Sequence, residues 1–402
     1  MFNRTTYHVT RYEMQDTFQF RAGNTFEDLY DNYSDPDVIM DDDIHGDTVL
    51  LLFHEWFMGI HGYLSIVVCF FGVLTNIFNI TILMAKDMRT ATNYLLTFIA
   101  VSDILTMFPY IPFVIHFYCP ATHPSDTPWR YTYGWTLYMC IMINLLATTH
   151  MISIWLAVAL AAFRFSQIRS PCPSGPLAKD RRITQVKLAA LVIYILSVIA
   201  LIPNYIYTEI EQLRFRQPNT TVYVIKDQKL ASPETAYAVF TNILTYAILA
   251  KMIPCLLILI FSGSLLYHMG VKAARRRQRL CANRQQANTT RMLLVVLILF
   301  ILTELPQGIM LLLSATVPGF YDNVHNPLGD LLDFVSLLNN AINFILYCLM
   351  SQQFRNKFFN IYIKPVWDRR GNVVTSNSEL LILREQIPRT MTTTTHDDNV
   401  RV

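Results

Sequence analysis

Residues 299–310 read LFILTELPQGIM: an apolar run that carries a glutamate and, two residues on, a proline. In hydrocarbon a carboxylate costs on the order of 3 kcal/mol or more, and proline removes a backbone donor. Glu304 therefore needs a partner, and Pro306 marks a place where a helix can bend. A second set of polar residues sits in other apolar runs. Asp103 lies in TNYLLTFIAVSDIL, Ser153 in a long run before Arg164, and Asn339 and Asn343 in LLDFVSLLNNAINFILY, while Asn76 and Asn79 lie in the first run. An ionised Asp103 in such surroundings requires a cation or strong donors. Oxygens from Ser153, Asn339 and Asn343 would complete a site for a small hard cation. The alternative is a structural knot of hydrogen bonds.

These residues need elements to hold them. The chain has 402 residues, 53% hydrophobic and 15% charged, against about 25% charged in an ordinary soluble domain. Apolar stretches long enough to cross a bilayer recur at 61–85, 92–118, 134–163, 183–208, 236–270, 291–316 and 328–350. This predicts an all-α membrane protein, a seven-transmembrane helix bundle. The second and fourth stretches contain Pro109, Pro112 and Pro203, which membrane helices tolerate. Lysines and arginines concentrate between stretches one and two, three and four, and five and six (Arg275, Arg276 and Arg277 among them). Those loops are expected in the cytoplasm, with the N-terminus outside and the C-terminus inside. Residues 1–60 form an acidic N-tail, expected to be disordered and without an apolar signal-peptide core. The receptor domain is expected at 61–352, with a short cytoplasmic helix and polar tail at 353–402. Sequons at Asn3, Asn32 and Asn219 would all face outward as glycosylation sites. The basic loops call for membrane lipid and not for nucleic acid. The hydroxyl run Thr392–Thr395 suits a tail addressed by kinases.

The ordered motifs resemble the rhodopsin-like class of G protein-coupled receptors over nearly all of the membrane part. They are Asn76, Thr92-Asn93-Tyr94 before Asp103, Ser153 and Arg164, Pro254, Phe300 before Pro306, Asn343 and Tyr347, and Phe354-Arg355 opening the short last helix. The resemblance implies that Asp103, Ser153, Asn339 and Asn343 hold a sodium ion as an allosteric modulator in the resting state. It implies that Pro254, Ile154 and Phe300 form an apolar relay that repacks on activation, with Pro306, Asn343 and Tyr347 among the switch residues. Arg164 would meet a heterotrimeric G protein, and arrestin and receptor kinases would be further partners.

Several positions depart from that class. Phe163 stands where an acid usually precedes the arginine, and Gln286 where a second acid would lock it, so the resting ionic clasp is missing on both sides. Phe344 replaces the proline after Asn343, Ser262 replaces a tyrosine, and helix four lacks its tryptophan. No cysteine occurs between Pro203 and Tyr246, so the usual bridge from helix three cannot form, and Cys119 and Cys140 could pair instead. SIWLAVALAAFRF and TELPQG are similar to the invertebrate myosuppressin-type receptors, whose ligands are FMRFamide-like peptides. That resemblance implies an amidated peptide ligand.

Glu304 occupies the level at which the class places its switch tryptophan, at the floor of the ligand cavity. His150 lies about 21 Å above Arg164 at 1.5 Å per residue, which is the depth of that floor. A pair between Glu304 and His150 is therefore expected. The alternative is that Glu304 binds the ligand and His150 is only a buried histidine. The guanidinium of an Arg-Phe-amide ligand wants a carboxylate, and Asp333, Asp330 and Glu304 compete for it, with Gln307 beside them. Other classes fit less well. A retinal-binding pump needs a lysine in the seventh helix, which is absent. A transporter would show internal repeats. HEWFMGIH spaces its histidines by seven and not four, and nothing suggests an enzyme. A receptor for a non-peptide ligand or a seven-helix transporter remains the alternative.

Overall fold

The computed structural model describes residues 43–119, 128–169, 175–215, 220–226, 233–275, 284–317, 319–365 and 367. Among them, seven helices are long and apolar enough to cross a membrane: Val49–Leu83, Ala91–Phe117, Tyr133–Gln167, Pro176–Tyr207, Phe240–His268, Leu294–Thr316 and Asn323–Met350. They are called the first to seventh spans below. The third is the most buried of the seven, as suits an element surrounded by the others. Small residues and buried amides set the close approaches. A Cβ on Gly72 would collide with Met107 and press on Ala341, so glycine lets the first span lie against the second and seventh. Asn76 donates to the Gly72 carbonyl and, at 3.1 Å, to that of Asn340. Asn79 donates to Asn76, and Tyr194 of the fourth span shares a 2.9 Å hydrogen bond with Ser102 of the second.

The first helix starts at Asp43, well before the expected 61. Its extra turns are amphipathic, which hides them from hydropathy. Phe57 and His54 are buried while Glu55 and Trp56 are exposed, and Phe57 meets Phe334 of the seventh span edge to face. Side chains add hydrogen bonds to backbone carbonyls of the second span near Pro109. Thr106 donates to the Ser102 carbonyl at 3.0 Å, and Tyr138 donates to the Pro109 carbonyl at 2.5 Å.

Hydropathy does not anticipate a β-hairpin after the fourth span. Strands β1 (Ile210–Phe215) and β2 (Thr220–Ile225) pair antiparallel, with Ile210 opposite Ile225 and Phe215 opposite Thr220. Val222, Val224 and Ile225 are buried, and Thr136 at the start of the third span donates to the Tyr223 carbonyl at 2.8 Å. Lys226 and Glu209 close the open end with an ion pair at 3.0 Å.

The fifth span is not one regular helix. Helix Pro233–Tyr246 passes into a π-helical segment, Ala247–Met252, before helix Ile253–Arg275 resumes. The Ile253 N–H donates to the carbonyl of Ile248, five residues back, so the wide turn sits immediately before Pro254, where the ordinary donor is missing. Ala247, Ala250 and Lys251 all become buried there. A second unit follows Ser351: helix Gln352–Phe358 running into a wide turn, Phe359–Ile363, with Phe354 buried. The sequons at Asn3, Asn32 and Asn219 and the threonine run lie outside the described residues.

Candidate functional site

The spans enclose a cavity of ≈ 140 Å³. Its walls are apolar and aromatic, from Phe113, Met142, Ile143 and Leu146 among others, and its polar lining includes His150, Lys251, Gln307, His325 and Asp333 together with hydroxyl side chains such as Thr106 and Ser336. Apolar walls with a few convergent polar groups are the usual make-up of a ligand site.

Its floor is a charge cluster spread over three spans. The Glu304 side chain is fully buried. Its Oε2 accepts a hydrogen bond from Lys251 Nζ at 2.7 Å and lies 2.7 Å from His150 Nε2. Lys251 Nζ also donates to Gln307 Oε1 at 2.8 Å and lies 2.6 Å from His150 Nε2. Gln307 in turn donates to the Leu332 carbonyl of the seventh span at 2.7 Å. An ammonium and a carboxylate held together away from water neutralise each other, and removing either leaves the other at a desolvation cost of about 3–5 kcal/mol.

Local structure makes this possible. The π-helical segment buries Lys251. A Cβ on Gly308 would lie 2.9 Å from the Lys251 Cβ and 3.3 Å from the Met252 sulfur, so only glycine lets the sixth span come this close to the fifth. Trp155 of the third span donates to the Leu249 carbonyl at 3.1 Å, which secures the wide turn from the other side. Lys251 was absent from the sequence-based set. Its signal was nevertheless present: a single lysine in the apolar run ILTYAILAKMIPCLLILIF falls under the same rule that marks Glu304.

Asp333 and Asp330, equal candidates in sequence, part company in the structure. Asp333 lines the cavity, exposed to it, and among the described residues it carries no hydrogen bond or ion pair. Asp330 is buried and does not line the cavity. Its carboxylate accepts from the Tyr118 hydroxyl at 3.1 Å and lies 3.8 Å from His54 Nδ1. The expectation that Asp330 faces the ligand is therefore corrected: three residues before Asp333, about 60° short of a full turn, it faces His54 of the first span and Tyr118 at the end of the second.

Below the floor, Asp103 is completely buried. It accepts from the Ser153 hydroxyl at 3.3 Å and from the Asn343 amide at 3.2 Å. Asn339 is also buried, and its amide nitrogen has no partner among the described residues. Ile154, Pro254, Phe300 and Tyr347 are buried. Arg164, further along the third span, is buried too. Its guanidinium donates to Gln167 at 3.2 Å, while its Nε has no hydrogen-bond partner. Among the described residues no acid pairs with it.

The expected bridge between Cys119 and Cys140 is not formed, and both thiols are free. Cys119 lies just past the end of the second span with its sulfur towards Gly62 of the first. Cys140 is buried about two turns inside the third span.

The family model of the serpentine-type seven-transmembrane G protein-coupled chemoreceptor Srw matches residues 63–364. The chain is 27% identical to the G-protein coupled receptor dmsr-1 of Caenorhabditis elegans, over 78% of this chain and 70% of that protein. It is 26% identical to the sex peptide receptor of Drosophila melanogaster, over 77% of this chain and 74% of that one. The FMRFamide receptor of the same fly matches at 26% over 75% of this chain, but over only 54% of its own length. With seven spans around a polar-floored cavity and a family match across all of them, the chain belongs to the serpentine Srw family of G protein-coupled receptors.

Proposed function

We propose that this receptor binds an amidated neuropeptide of the FMRFamide type and passes the signal to a heterotrimeric G protein. One observation carries the ligand chemistry. Asp333 is the single carboxylate among the described residues that line the cavity, and it stands there unpaired, while Glu304 is already neutralised by Lys251. A guanidinium entering the cavity therefore meets Asp333 and not Glu304. The names of the similar fly receptors agree with a peptide ligand. The receptor sits in the plasma membrane with its N-terminus outside, and the lysine- and arginine-rich loops meet lipid and G protein on the inner face. Arg164, without an acidic partner among the described residues, is the G protein contact. Glycans on Asn3, Asn32 and Asn219, and a tail read by receptor kinases and arrestin, complete the proposal.

The Asp103 set fits a sodium ion by chemistry. A carboxylate and a hydroxyl already converge, and the unpaired amide of Asn339 can present its oxygen to a hard cation. Asp103, Ser153, Asn339 and Asn343 would hold it, and the ion would supply positive charge that stabilises the resting packing.

The test is a panel of amidated Arg-Phe peptides and their free-acid forms on cells expressing the receptor, read by G protein activation. Amides are expected to act and acids to be much weaker. Asp333→Asn is expected to lower potency about 100-fold, as loss of a buried charge-assisted pair costs roughly 3 kcal/mol. Silence towards the whole class, or equal potency of amide and acid, would overturn the assignment.

A further inference from the structure

Three atoms at the cavity floor stand closer together than their hydrogens allow. His150 Nε2 lies 2.7 Å from Glu304 Oε2 and 2.6 Å from Lys251 Nζ, which are themselves 2.7 Å apart. A ring nitrogen carries either a hydrogen or a lone pair. With the hydrogen, Nε2 donates to Glu304 and turns a like-signed N–H towards the ammonium. With the lone pair, it accepts from Lys251 and faces the carboxylate oxygen acceptor to acceptor. One edge of the triangle is unsatisfied in either case. The other ring nitrogen, Nδ1, has no hydrogen-bond partner among the described residues, and His150 lines the cavity. With one hydrogen on the ring, the state of Nδ1 fixes the state of Nε2.

We infer that His150 reads the terminal group of the bound ligand and sets the grip of Lys251 on the third span accordingly. The inference rests on the peptide reading above. A guanidinium seated on Asp333 leaves the ligand's phenylalanine and terminal group to go one residue deeper, between apolar walls and towards His150. A carboxamide offers N–H donors. Nδ1 accepts one, the ring hydrogen stands on Nε2 and donates to Glu304, and Lys251 loses its acceptor on the third span. A carboxylate or an ester offers only acceptors. Nδ1 then keeps the hydrogen, Nε2 stays an acceptor, and Lys251 remains tied to His150. Protons balance in the exchange: one leaves Nδ1 for cavity water as Nε2 gains one from the ammonium, which cavity water reprotonates. The ligand thereby selects between two arrangements of one hydrogen. Only the donor ligand loosens the fifth span from the third beside the sixth-span proline, Pro306.

The experiment uses one Arg-Phe peptide in three forms: carboxamide, methyl ester and free acid. The ester matches the amide in charge but has no terminal N–H. Binding is read by displacement of a labelled carboxamide, and efficacy by G protein activation at saturating peptide. In the wild type the ester is expected to bind within about tenfold of the amide, the worth of one hydrogen bond, yet to activate only a small fraction as much. In Lys251→Met with Glu304→Gln, which leaves no orphan charge, ester and amide should reach the same efficacy. His150→Phe, which keeps a flat ring without Nδ1, should likewise abolish the difference. An ester as effective as the amide in the wild type, or an efficacy gap that persists in both variants, would overturn the inference while leaving the peptide reading intact. A wild type that binds no form of the peptide would overturn the peptide reading, and this inference with it.

Discussion

Lys251 and Glu304 hold each other's charge inside the bundle, and this dependence governs what single substitutions do. Lys251→Met leaves the Glu304 carboxylate buried with only His150 beside it, and Glu304→Gln leaves Lys251 with neutral acceptors alone. Each single change is expected to lower the stability of the detergent-solubilised receptor, with Lys251→Met costing about 3–5 kcal/mol. The double change should cost clearly less than the sum, because no orphan charge remains. A thermal-shift cycle on purified receptor measures this, and strictly additive costs would show that the contact carries no energy. The His150→Asn arm, read on basal activity at matched surface expression, adds the third edge. Sequence exposed Glu304, His150 and Gln307 of this cluster but not Lys251. Glu304 stood out because the proline beside it drew attention to its helix. Lys251 is equally improbable in hydrocarbon, but its place before Pro254 reads as part of an ordinary proline-containing helix until the wide turn is seen.

Element packing explains why the cluster closes. The wide turn at Ala247–Met252 has no residue signature of its own beyond the following proline, so neither its existence nor its facing could be read from the chain. The β-hairpin was hidden for another reason: each strand has six residues, too few for a hydropathy window tuned to spans of about 20. The seven spans were legible because lipid imposes long apolar runs, and the errors fell at their ends, where amphipathic turns such as Phe53–Phe57 dock on the protein. At this scale Gly308 is the sensitive position. Gly308→Ala should separate the fifth and sixth spans, since its Cβ would meet the Lys251 Cβ, part of the side-chain root and not a flexible tip. A loss of agonist response larger than for alanine at an exposed neighbour such as Ile309 is expected. Trp155→Phe keeps the ring and removes the hydrogen bond to Leu249, at about 1 kcal/mol, and the melting temperature of the purified receptor checks it.

Over the whole molecule, two polar layers lie at different depths along the third span, His150 with Glu304 and Ser153 with Asp103, and Arg164 lies beyond both. With no acid paired to Arg164 among the described residues, the proposed resting state would lean on the upper layers. Asp103→Asn is therefore expected to remove any effect of sodium on agonist affinity. Radioligand displacement in sodium against a bulky organic cation reads it, and a wild type indifferent to sodium would mean that the four residues are only a structural knot. Lys251→Met with Glu304→Gln, unlike the wild type, should show raised basal G protein activation, because the tie between the third, fifth and sixth spans is gone.

The ion pair between the fifth and sixth spans also bears on how the chain is made. Delivered to the bilayer one at a time, each of these helices would present a lone charge to lipid, at about 3 kcal/mol near the membrane centre. The glutamate is synthesised some fifty residues after the lysine (Lys251 to Glu304), so the fifth helix must wait at the translocon, or enter only partly, until its partner emerges. Biogenesis of this receptor is thus expected to proceed through a two-helix hairpin as the inserting unit. A chain truncated after the fifth span should integrate less efficiently than one that continues through the sixth, and Lys251→Met should rescue the truncated chain.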